Sequence, residues 1–458
     1  MSVPSSAMTP LERRASIGLA GIYGVRMLGL FIILPIFALY AEKLPGGQSH
    51  FLIGVALGAY GLTQAILQIP AGWLSDRYGR KPIIIVGLLL FAAGSFIAAS
   101  ADDIYWIIAG RVIQGAGAIN AAVMALTADL TREEQRTKAM ALIGISIGIT
   151  FSISMVLSPI FYRLIGMSGI FSMVGVLAFV SIAVVIWFIP KPGITRFHSD
   201  TEANTSKLKE VLRNKDLLRM DFGVFTLHAI LMSVFMQVPF ILRADGLDAQ
   251  HQWQMYLPVM LIAFALMAPL FIIAEKKAMT KQVFMFSIGM AALGQLGILF
   301  LQDSVWGVSL SLIVFFTAFN VLEAMQPSIV SKIAPLDAKG SAMGVFSSVQ
   351  FFGAFFGSAM GGLLMQLYGG SAVLLFAMAM LLLWLAVASG MRAPRPLQTR
   401  MYHLPQLAVA EASALQSSLA QLHGVNEVLI VVAEQIACLK VEMSGFDEEA
   451  VENLVKGA

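Results

Sequence analysis

Six polar side chains stand inside long apolar stretches of the sequence, where their chemistry is conspicuous. They are Arg26, Arg111, His228, Gln237, Asn320 and Glu323. Carboxyl and imidazole groups removed from water can exchange protons near neutral pH. Asn320 and Glu323 are three residues apart, so a helix would place both on one face. We therefore expect Glu323 or His228 to handle a proton. The alternative is that His228 is only a hydrogen-bonded histidine of a helix.

The stretches that carry these residues are predicted to be membrane helices. The chain of 458 residues is 58% hydrophobic and 12% charged, with a mean hydropathy of +0.80. No soluble protein needs this much apolar surface, and apolar runs of about 20 residues span a bilayer as helices. Because the runs are continuous and do not alternate, helices are favoured over a β-barrel. The sequence predicts an all-α membrane protein.

Twelve apolar runs can be delimited. They cover 16–40, 51–75, 82–100, 104–127, 137–160, 166–189, 218–242, 253–275, 281–301, 305–328, 341–366 and 370–391. The first run exceeds the ~7–15 residue apolar core of a signal peptide. We interpret it as a retained span, with a cleaved leader as the alternative. Polar residues 190–217 separate the sixth run from the seventh, as a linker would.

The distribution of lysine and arginine predicts the orientation of the spans. Of the 30 lysines and arginines, 25 fall in the two termini or in loops on the same side as the N-terminus. Positive residues in short loops stay on the cytoplasmic side. We therefore expect a multi-pass protein of the inner membrane with both termini and the central linker in the cytoplasm.

The two groups of six spans carry a faint internal repeat. Pro70 and Asp76 recur at the same spacing as Pro269 and Glu275. Doubled bundles are a recurrent plan of transporters, which bind their substrate between the halves near the middle of the bilayer. We predict an N-terminal bundle at 1–189, a linker at 190–217 and a C-terminal bundle at 218–392.

The composition changes after the last span. A linker at 393–400 is followed by residues 401–458, which resemble a small soluble domain. Apolar alternation and turn residues predict a strand at 401–409, a helix at 411–422, strands at 428–432 and 436–441, and a helix at 446–455. This βαββα order suggests a ferredoxin-like accessory domain, too small for a deep enzyme pocket. We expect it to bind a regulator or a second copy of the chain.

A charged stretch at 72–81, GWLSDRYGRK, joins the second and third spans. It must form a tight, water-facing hairpin. Together with the twelve spans and the central linker, it resembles the signature of the major facilitator superfamily, and the resemblance extends over residues 10–392. A transporter type within this family carries a small ferredoxin-like domain after the last span, as this chain does.

The resemblance implies that the hairpin belongs to a cytoplasmic gate. The implied gate residues are Gly72, Asp76, Arg77, Gly79, Arg80 and Asp129. Asp76 would face the positive N-terminal end of the helix that begins near Gly340, and Arg80 would pair with Asp129. This cluster would hold the cytoplasmic side shut in the outward-facing state. The alternative is a loop that only sets the orientation of the chain.

A second stretch, RVIQGAG at 111–117, resembles a family signature associated with proton coupling. Arg111 therefore joins Glu323 and His228 as a candidate for that role. The alternative is a structural arginine that binds backbone carbonyls, because an arginine inside a span must avoid lipid. The candidates for the substrate cavity are Arg26, Gln114, Gln237 and Asn320.

Glycines in the fifth span bear on helix packing and on the direction of transport. Gly144 and Gly148 could allow close packing against a neighbouring helix. Drug–proton antiporters of the family end this span with a run of glycines, and this chain has Ser158-Pro159-Ile160-Phe161 there. That departure weakens the case for antiport.

The resemblance implies a secondary active transporter that works by alternating access. We expect proton-coupled efflux of small organic compounds or drugs. The alternatives are proton-coupled uptake or facilitated diffusion of a metabolite, and a sensor that signals through its C-terminal domain. We expect no enzymatic activity, cofactor, metal or nucleic acid. Cys438 is the only cysteine and is expected to be buried. No nucleotide-binding loop is evident in the sequence.

Overall fold

The first half of the chain folds into six membrane spans. The computed structural model describes residues 7–191, 205–276, 279–391, 397–405, 407–432, 435–442 and 445–457. The helices of this N half are α1 (Pro10–Phe31), α2 (Phe37–Ala41), α3 (His50–Tyr78), α4 (Arg80–Ala99), α5 (Ile104–Ala116), α6 (Asn120–Asp129) and α7 (Glu133–Ala183), and α7 continues as a π-helical turn over Val184–Phe188.

The second half repeats this plan. After a short helix α8 (Thr205–Val211), the C half contains α9 (Lys215–Ala244), α10 (Trp253–Lys276), α11 (Thr280–Leu301), α12 (Val305–Ile333), α13 (Lys339–Tyr368) and α14 (Gly370–Ser389). A single 3₁₀ turn at Leu336–Ala338 connects α12 to α13. Residues 192–204 of the predicted linker and the side chain of Glu275, from the predicted repeat, lie outside the described residues.

These helices confirm the prediction of twelve spans, with three differences in how they are built. The fourth span is divided between α5, which ends at Ala116, and α6, which begins at Asn120. Ten helices of the described ranges are long and apolar enough to cross a membrane. The longest, α7, has 51 residues and is interrupted at Gly166, whose φ of 67° is not helical, so it supplies two spans. The first span is not one helix over 16–40, because α1 ends at Phe31 and turns precede α2. Pro35 lies in these turns and cannot continue a helix.

Twelve crossings bring both ends of the bundle to the same side. We call the side that carries Pro10 and Ser389 the terminal side, and the opposite side, where α2 ends and α3 begins, the far side. Near the terminal side, Gly79 has a φ of 96° and forms the turn between α3 and α4. Glycine is favoured in this conformation because it has no Cβ.

Helices α3 and α13 join the two halves only along part of their length. A Cβ on Gly54 of α3 would lie 2.1 Å from the Ser358 carbonyl oxygen of α13. Likewise, a Cβ on Gly362 would lie 2.2 Å from the His50 carbonyl oxygen, so the two backbones touch near the far side. Nearer the terminal side, a Cβ on Gly344 of α13 would meet nothing within 4 Å. The halves are therefore closed at the far side and separated at the terminal side.

Residues after the last span form a separate small α+β domain. Its elements are β1 (Leu397–His403), α15 (Val409–Ala420), β2 (Val425–Val431), β3 (Ile436–Glu442) and α16 (Glu448–Gly457), and the strands form an antiparallel sheet in the order β1-β3-β2. The order βαββα is the predicted one. Strand β1 begins at Leu397, inside the predicted linker. It also ends earlier than predicted, since Leu404 turns into the hydrophobic core of this domain and Pro405 cannot donate to a sheet. Cys438 is only partly buried, contrary to expectation.

The C-terminal domain docks on the connection between α12 and α13. The Lys440 ammonium of β3 donates a hydrogen bond to the Ala334 carbonyl, just after the end of α12. Glu427 of β2 accepts a hydrogen bond of 2.8 Å from the backbone N–H of Leu336 and pairs with Lys440 at 2.9 Å. Lys440 is only 5% exposed. An ion pair between the buried Lys440 and the partly buried Glu427, with polar backbone partners, therefore anchors this domain to the C half.

Candidate functional site

A cavity of about 340 Å³ lies between the two halves on the terminal side. Most of its wall is apolar. The polar members are Tyr23, Gln68, Asp76, Asn120, His228, Glu323, Ser347 and Gln350. No lysine or arginine is among the described side chains that line it. A largely apolar cavity with a few polar groups is typical of a binding site for a small organic molecule.

Three side chains from different helices meet in the wall of the C half. His228 Nε2 of α9 lies 3.6 Å from Glu323 Oε2 of α12. Gln350 of α13 contacts both, with its Nε2 atom 2.8 Å from His228 Nε2 and 3.2 Å from Glu323 Oε1. The two titratable residues singled out in the sequence therefore lie together. Gln350 was missed, although an amide in the middle of an apolar span is a signal of a polar contact.

Arg26 of α1 lies behind the cavity wall in a network of amides. It is fully buried and donates hydrogen bonds to Asn120 Oδ1 and Gln64 Oε1. Gln64 in turn donates to Gln68 Oε1 at 2.6 Å. The guanidinium carbon lies 5.6 Å from the centre of the Tyr60 ring, within cation–π range. Arg26 thus reaches the cavity only through Asn120 and Gln68, which line it.

Arg111 of α5 has a different environment. Its guanidinium donates to the carbonyls of Gly29 and Leu57 at 3.1 and 3.2 Å and to Gln114 Oε1 at 2.7 Å. Gln114 then donates to Ser95 Oγ at 2.9 Å. Arg111 is fully buried and does not line the cavity. These bonds match the structural alternative, in which the arginine ties neighbouring helices together through backbone carbonyls.

None of the four candidates for the substrate cavity lines this cavity directly, so their role in substrate binding stays a prediction. Those candidates are Arg26, Gln114, Gln237 and Asn320. Gln237 is nine residues beyond His228 on α9, which is about 13 Å along the axis toward the far side. It packs against Gly370 instead. Asn320 is buried with its Nδ2 atom unpartnered among the described residues. Residue type could not reveal which way each side chain faces.

The charged hairpin brings the predicted gate residues together within the N half. Arg80 pairs with Asp76, donates to Ser75 Oγ at 3.0 Å and has its Nε atom 3.4 Å from Asp129 Oδ2. Arg80 is 3% exposed, so burial strengthens these electrostatic contacts. Asp76 and Gly340, the predicted partners across the halves, both line the cavity.

The remaining gate residues have simpler roles in this structure. Arg77 is exposed, and its guanidinium lies 5.7 Å from the centre of the Trp73 ring. A Cβ on Gly72 would lie 3.1 Å from the Ala121 side chain, so this glycine allows a close approach within the N half. Gly79 makes the turn already described.

Gly144 and Gly148 do not pack closely against a neighbour, contrary to expectation. A Cβ on either glycine would meet nothing within 4 Å. Gly144 also lines the cavity. In this structure these glycines leave space and do not bring two helices together.

Polar contacts between the halves at the far side were missed in the sequence. Ser49 Oγ donates to Gln366 Oε1 at 2.8 Å, and the backbone N–H of Phe51 donates to the same oxygen at 3.1 Å. Arg243 pairs with Glu42 at 2.7 Å. All five residues lie near span ends that face solvent, where such pairs have no sequence signature.

A second missed contact lies at the terminal side of the N half. Glu12, in the first turn of α1, accepts hydrogen bonds from the Arg132 guanidinium at 2.8 and 3.0 Å and from its backbone N–H at 2.9 Å. The carboxylate also accepts from the backbone N–H of Thr9. The Arg132 side chain is the main reason that the pKa of Glu12 falls from 4.5 to about 2.

Within the described ranges, no three His, Cys, Asp or Glu side chains are grouped so that they could hold a metal ion.

Comparison with known proteins identifies the family of the chain. Residues 19–358 match the family model described as Major Facilitator Superfamily. The chain is 43% identical over 451 residues to "Inner membrane transport protein YajR" of Escherichia coli strain K12, covering 98% of this chain and 99% of that protein.

More distant relatives agree with this placement. "Multidrug resistance protein MdtH" of Proteus mirabilis is 27% identical over 350 residues, which are 73% of this chain and 82% of that protein. Among solved structures, an inward-facing, occupied bacterial homologue of the human lysosomal transporter Spinster superposes with a TM-score of 0.67 at 14% identity, covering 84% of this chain and 97% of that one. The chain is a membrane transporter that belongs to the Major Facilitator Superfamily.

Proposed function

We propose that this transporter works by alternating access in the inner membrane, with both termini in the cytoplasm. The excess of lysine and arginine in loops of the terminal side supports this orientation. The name of the E. coli relative supports the inner membrane. With this orientation the cavity opens toward the cytoplasm. The conformation described above is then inward-facing, closed at the far side by α3 and α13.

Proton coupling is the second part of the proposal, and the pairing of His228 with Glu323 in the cavity wall carries it. An imidazole and a carboxylate 3.6 Å apart can exchange a proton with water in the cavity. A proton bound to this pair changes the affinity of the same cavity for a substrate, either lowering it or raising it. Transport and proton movement would be linked in this way.

We propose the export of small organic compounds or drugs as the direction and substrate class. An apolar wall without a described lysine or arginine suits uncharged or cationic organic molecules. The name of the MdtH relatives, multidrug resistance protein, supports the same class. The alternative is uptake or facilitated diffusion of a metabolite. Measuring the direction of flux distinguishes it from export.

The test uses the purified chain in proteoliposomes with an imposed pH gradient and a panel of lipophilic organic compounds. We expect accumulation of at least one compound to depend on the gradient, and Glu323→Gln to remove that dependence. Glu210→Gln is the matched control, because Glu210 is exposed on the short helix α8. Flux that ignores the gradient in the unmodified chain would contradict proton coupling.

A cytoplasmic gate completes the proposed cycle. In the outward-facing conformer the terminal side closes, and Asp76 approaches the start of α13 near Gly340. The positive end of that helix would then stabilise the carboxylate. The contacts of Arg80 with Asp76 and Asp129 support this role, because they hold the carboxylate at the rim of the cavity.

A sensor that signals through the C-terminal domain is a second candidate, favoured by one observation. Lys440 and Glu427 form hydrogen bonds with the segment between α12 and α13. These two helices carry Glu323 and Gln350. A change in the cavity could reach the domain through that segment. Lys440→Met should increase hydrogen exchange at 334–338 and, for a sensor, should also change the conformational response to a bound compound. An unchanged response would contradict the sensor.

A further inference from the structure

Gln350 occupies a position that the proposed coupling pair does not explain by itself. Its Nε2 atom lies within hydrogen-bond distance of His228 Nε2 and Glu323 Oε1, while the other imidazole nitrogen, Nδ1, lies 3.1 Å from the Val224 carbonyl oxygen. The amide therefore stands between the imidazole and the carboxylate. Both partners belong to other helices, α9 and α12, and Gln350 belongs to α13.

The chemistry of these atoms decides where the hydrogens are. A carbonyl oxygen only accepts hydrogen bonds, so His228 Nδ1 carries the hydrogen that goes to Val224. In a neutral imidazole, Nε2 is then an acceptor. The amide nitrogen of Gln350 is a donor with two hydrogens, one for His228 and one for Glu323. Every group is satisfied when the imidazole is neutral and the carboxylate is ionised.

We propose that Gln350 is a positioning residue for proton exchange, an inference that rests on the proposed proton coupling. Its amide holds His228 as the neutral Nδ1–H form beside the Glu323 carboxylate. Uptake of a proton by His228 displaces the amide. The protonation state of the pair is thereby communicated to α13, the helix that contacts α3 across the two halves.

The proton step is simple to balance. A hydronium ion in the cavity transfers its proton to the lone pair of His228 Nε2 and becomes water, and the hydrogen bond from Gln350 to that nitrogen breaks, because two donors now face each other. The imidazolium then donates directly to Glu323 Oε2, which lies 3.6 Å away before the change. The amide of Gln350 must rotate or withdraw. Release of the proton restores the original arrangement.

Other groups around the pair set its electrostatic environment. The Phe319 ring of α12 lies 6.1 Å from the imidazole and is neutral. Tyr23 of α1 and Asp76 of α3 line the same cavity, and Arg26 stands close enough to Tyr23 to interact with it electrostatically. Glu323 is the only one of these charged or titratable groups that contacts His228 among the described residues. The direct competition for the imidazole is therefore between Gln350 and Glu323.

A merely structural glutamine would stabilise the bundle without affecting the imidazole. The two roles are separated by nitrogen-15 NMR of histidine-labelled protein in nanodiscs, recorded over a pH series, with His228→Gln identifying the signals of His228 among the six histidines. In the unmodified chain we expect the neutral Nδ1–H form. In Gln350→Met we expect imidazolium at about tenfold lower proton concentration, the effect of losing one opposing hydrogen bond.

Gln350→Glu is a second variant, in case the methionine variant folds poorly. Its carboxylate would accept from the imidazolium, so the change in proton affinity should have the same sign and be larger. Gln282→Met, at an exposed position of α11, is the control and should leave His228 unchanged. An Nε2–H form in the unmodified chain, or identical titrations in the folded Gln350 variants, would overturn the proposal.

The outcome does not depend on knowing the substrate. If the proteoliposome test shows no response to the pH gradient while the NMR series behaves as expected, proton coupling of transport is wrong and the local role of Gln350 stands. If the gradient drives transport and the NMR series is unchanged by Gln350→Met, the role of Gln350 is wrong and the coupling stands. The two failures are thereby distinguished.

Discussion

Ser49 Oγ donates a hydrogen bond of 2.8 Å to Gln366 Oε1, and this bond joins the two halves at the far side, where α3 begins and α13 ends. The ion pair between Glu42 and Arg243 closes the same side at 2.7 Å. These contacts cross the boundary between the halves, so they must break when the far side opens. They stabilise the conformation described here relative to one that is open at the far side.

Removing the far-side ion pair should shift the balance of conformations. Arg243→Gln is expected to increase the outward-open population by a factor of up to about five, since an exposed ion pair contributes roughly 0.2–1 kcal/mol. Distances between spin labels on the two halves at the far side measure this population. Arg163→Gln, at another exposed position on the far side, is the control. No change with Arg243→Gln would mean that the pair does not hold the far side closed.

Glycines at the crossing of α3 and α13 should be intolerant of a methyl group. Gly54→Ala would place a Cβ 2.1 Å from the Ser358 carbonyl oxygen, which requires the helices to move apart. Overpacking of this kind costs roughly 1–3 kcal/mol. We expect a lower apparent unfolding temperature and a more open far side. Gly148→Ala is the matched control, because its methyl group meets open space; an equal effect of both variants would refute the packing argument.

Neutralising the gate carboxylate should weaken closure of the terminal side. Asp76→Asn removes both the ion pair with Arg80 and the charge proposed to face the start of α13, and it leaves the contact between Arg80 and Asp129 in place. We expect the outward-facing population, measured by spin-label distances at the terminal side, to fall up to about tenfold, since a charge at a helix end contributes roughly 0.3–2 kcal/mol. Asp303→Asn, exposed at the far side, serves as the comparison. Unchanged distances in Asp76→Asn would leave the hairpin with a topological role alone.

The contact between Glu12 and Arg132 predicts a pH dependence of stability. Because the pKa of Glu12 is lowered to about 2 in the folded protein, its contribution is complete above the unfolded value of 4.5 and is lost as the pH falls toward 2. Glu12 precedes the apolar run that starts at residue 16, so it lies outside the first membrane span. Since Arg132 is 37% exposed, solvent screening reduces the effect, and we expect about 1–2 kcal/mol.

The measurement is the apparent unfolding temperature of the Glu12→Gln variant against pH. The variant should be less stable than the unmodified chain at neutral pH, and the difference should shrink below pH 4.5. Glu210→Gln, which removes an exposed ion pair with Lys207, should show almost no difference. A constant deficit of Glu12→Gln across the series would point to lost capping of α1 and not to the charge.

Sequence reasoning could identify the polar residues of the spans but not their partners. His228 and Glu323 were singled out because a titratable group inside an apolar run is costly unless it is used or paired. The same argument singled out Gln237, which packs against Gly370 away from the cavity. His228 and Gln237 both lie in the apolar run of α9 and differ only in their position along it. How far the cavity extends along that helix is not encoded in the local sequence pattern.

The two buried arginines illustrate the same limit. Arg26 binds Asn120, which lines the cavity, and Gln64 behind it, whereas Arg111 binds backbone carbonyls and Gln114. Either environment satisfies a guanidinium, so residue type and burial cannot distinguish them. Only the identity of the neighbouring helices does.

The sequence by itself determined the class of protein, the twelve spans, the division into halves and the small C-terminal domain. Hydropathy and length suffice for the spans, because a bilayer demands apolar helices of a set length. The polar linker and the faint repeat marked the two halves, and apolar alternation with turn residues marked the small domain. Tertiary structure alone decided which glycines contact a neighbouring helix and which face open space. Gly54 and Gly148 both lie in apolar helices, yet one touches a backbone and the other faces open space. The rotation of each helix and its partner, which depend on the packing of the whole bundle, made that difference and placed Gln350 between His228 and Glu323.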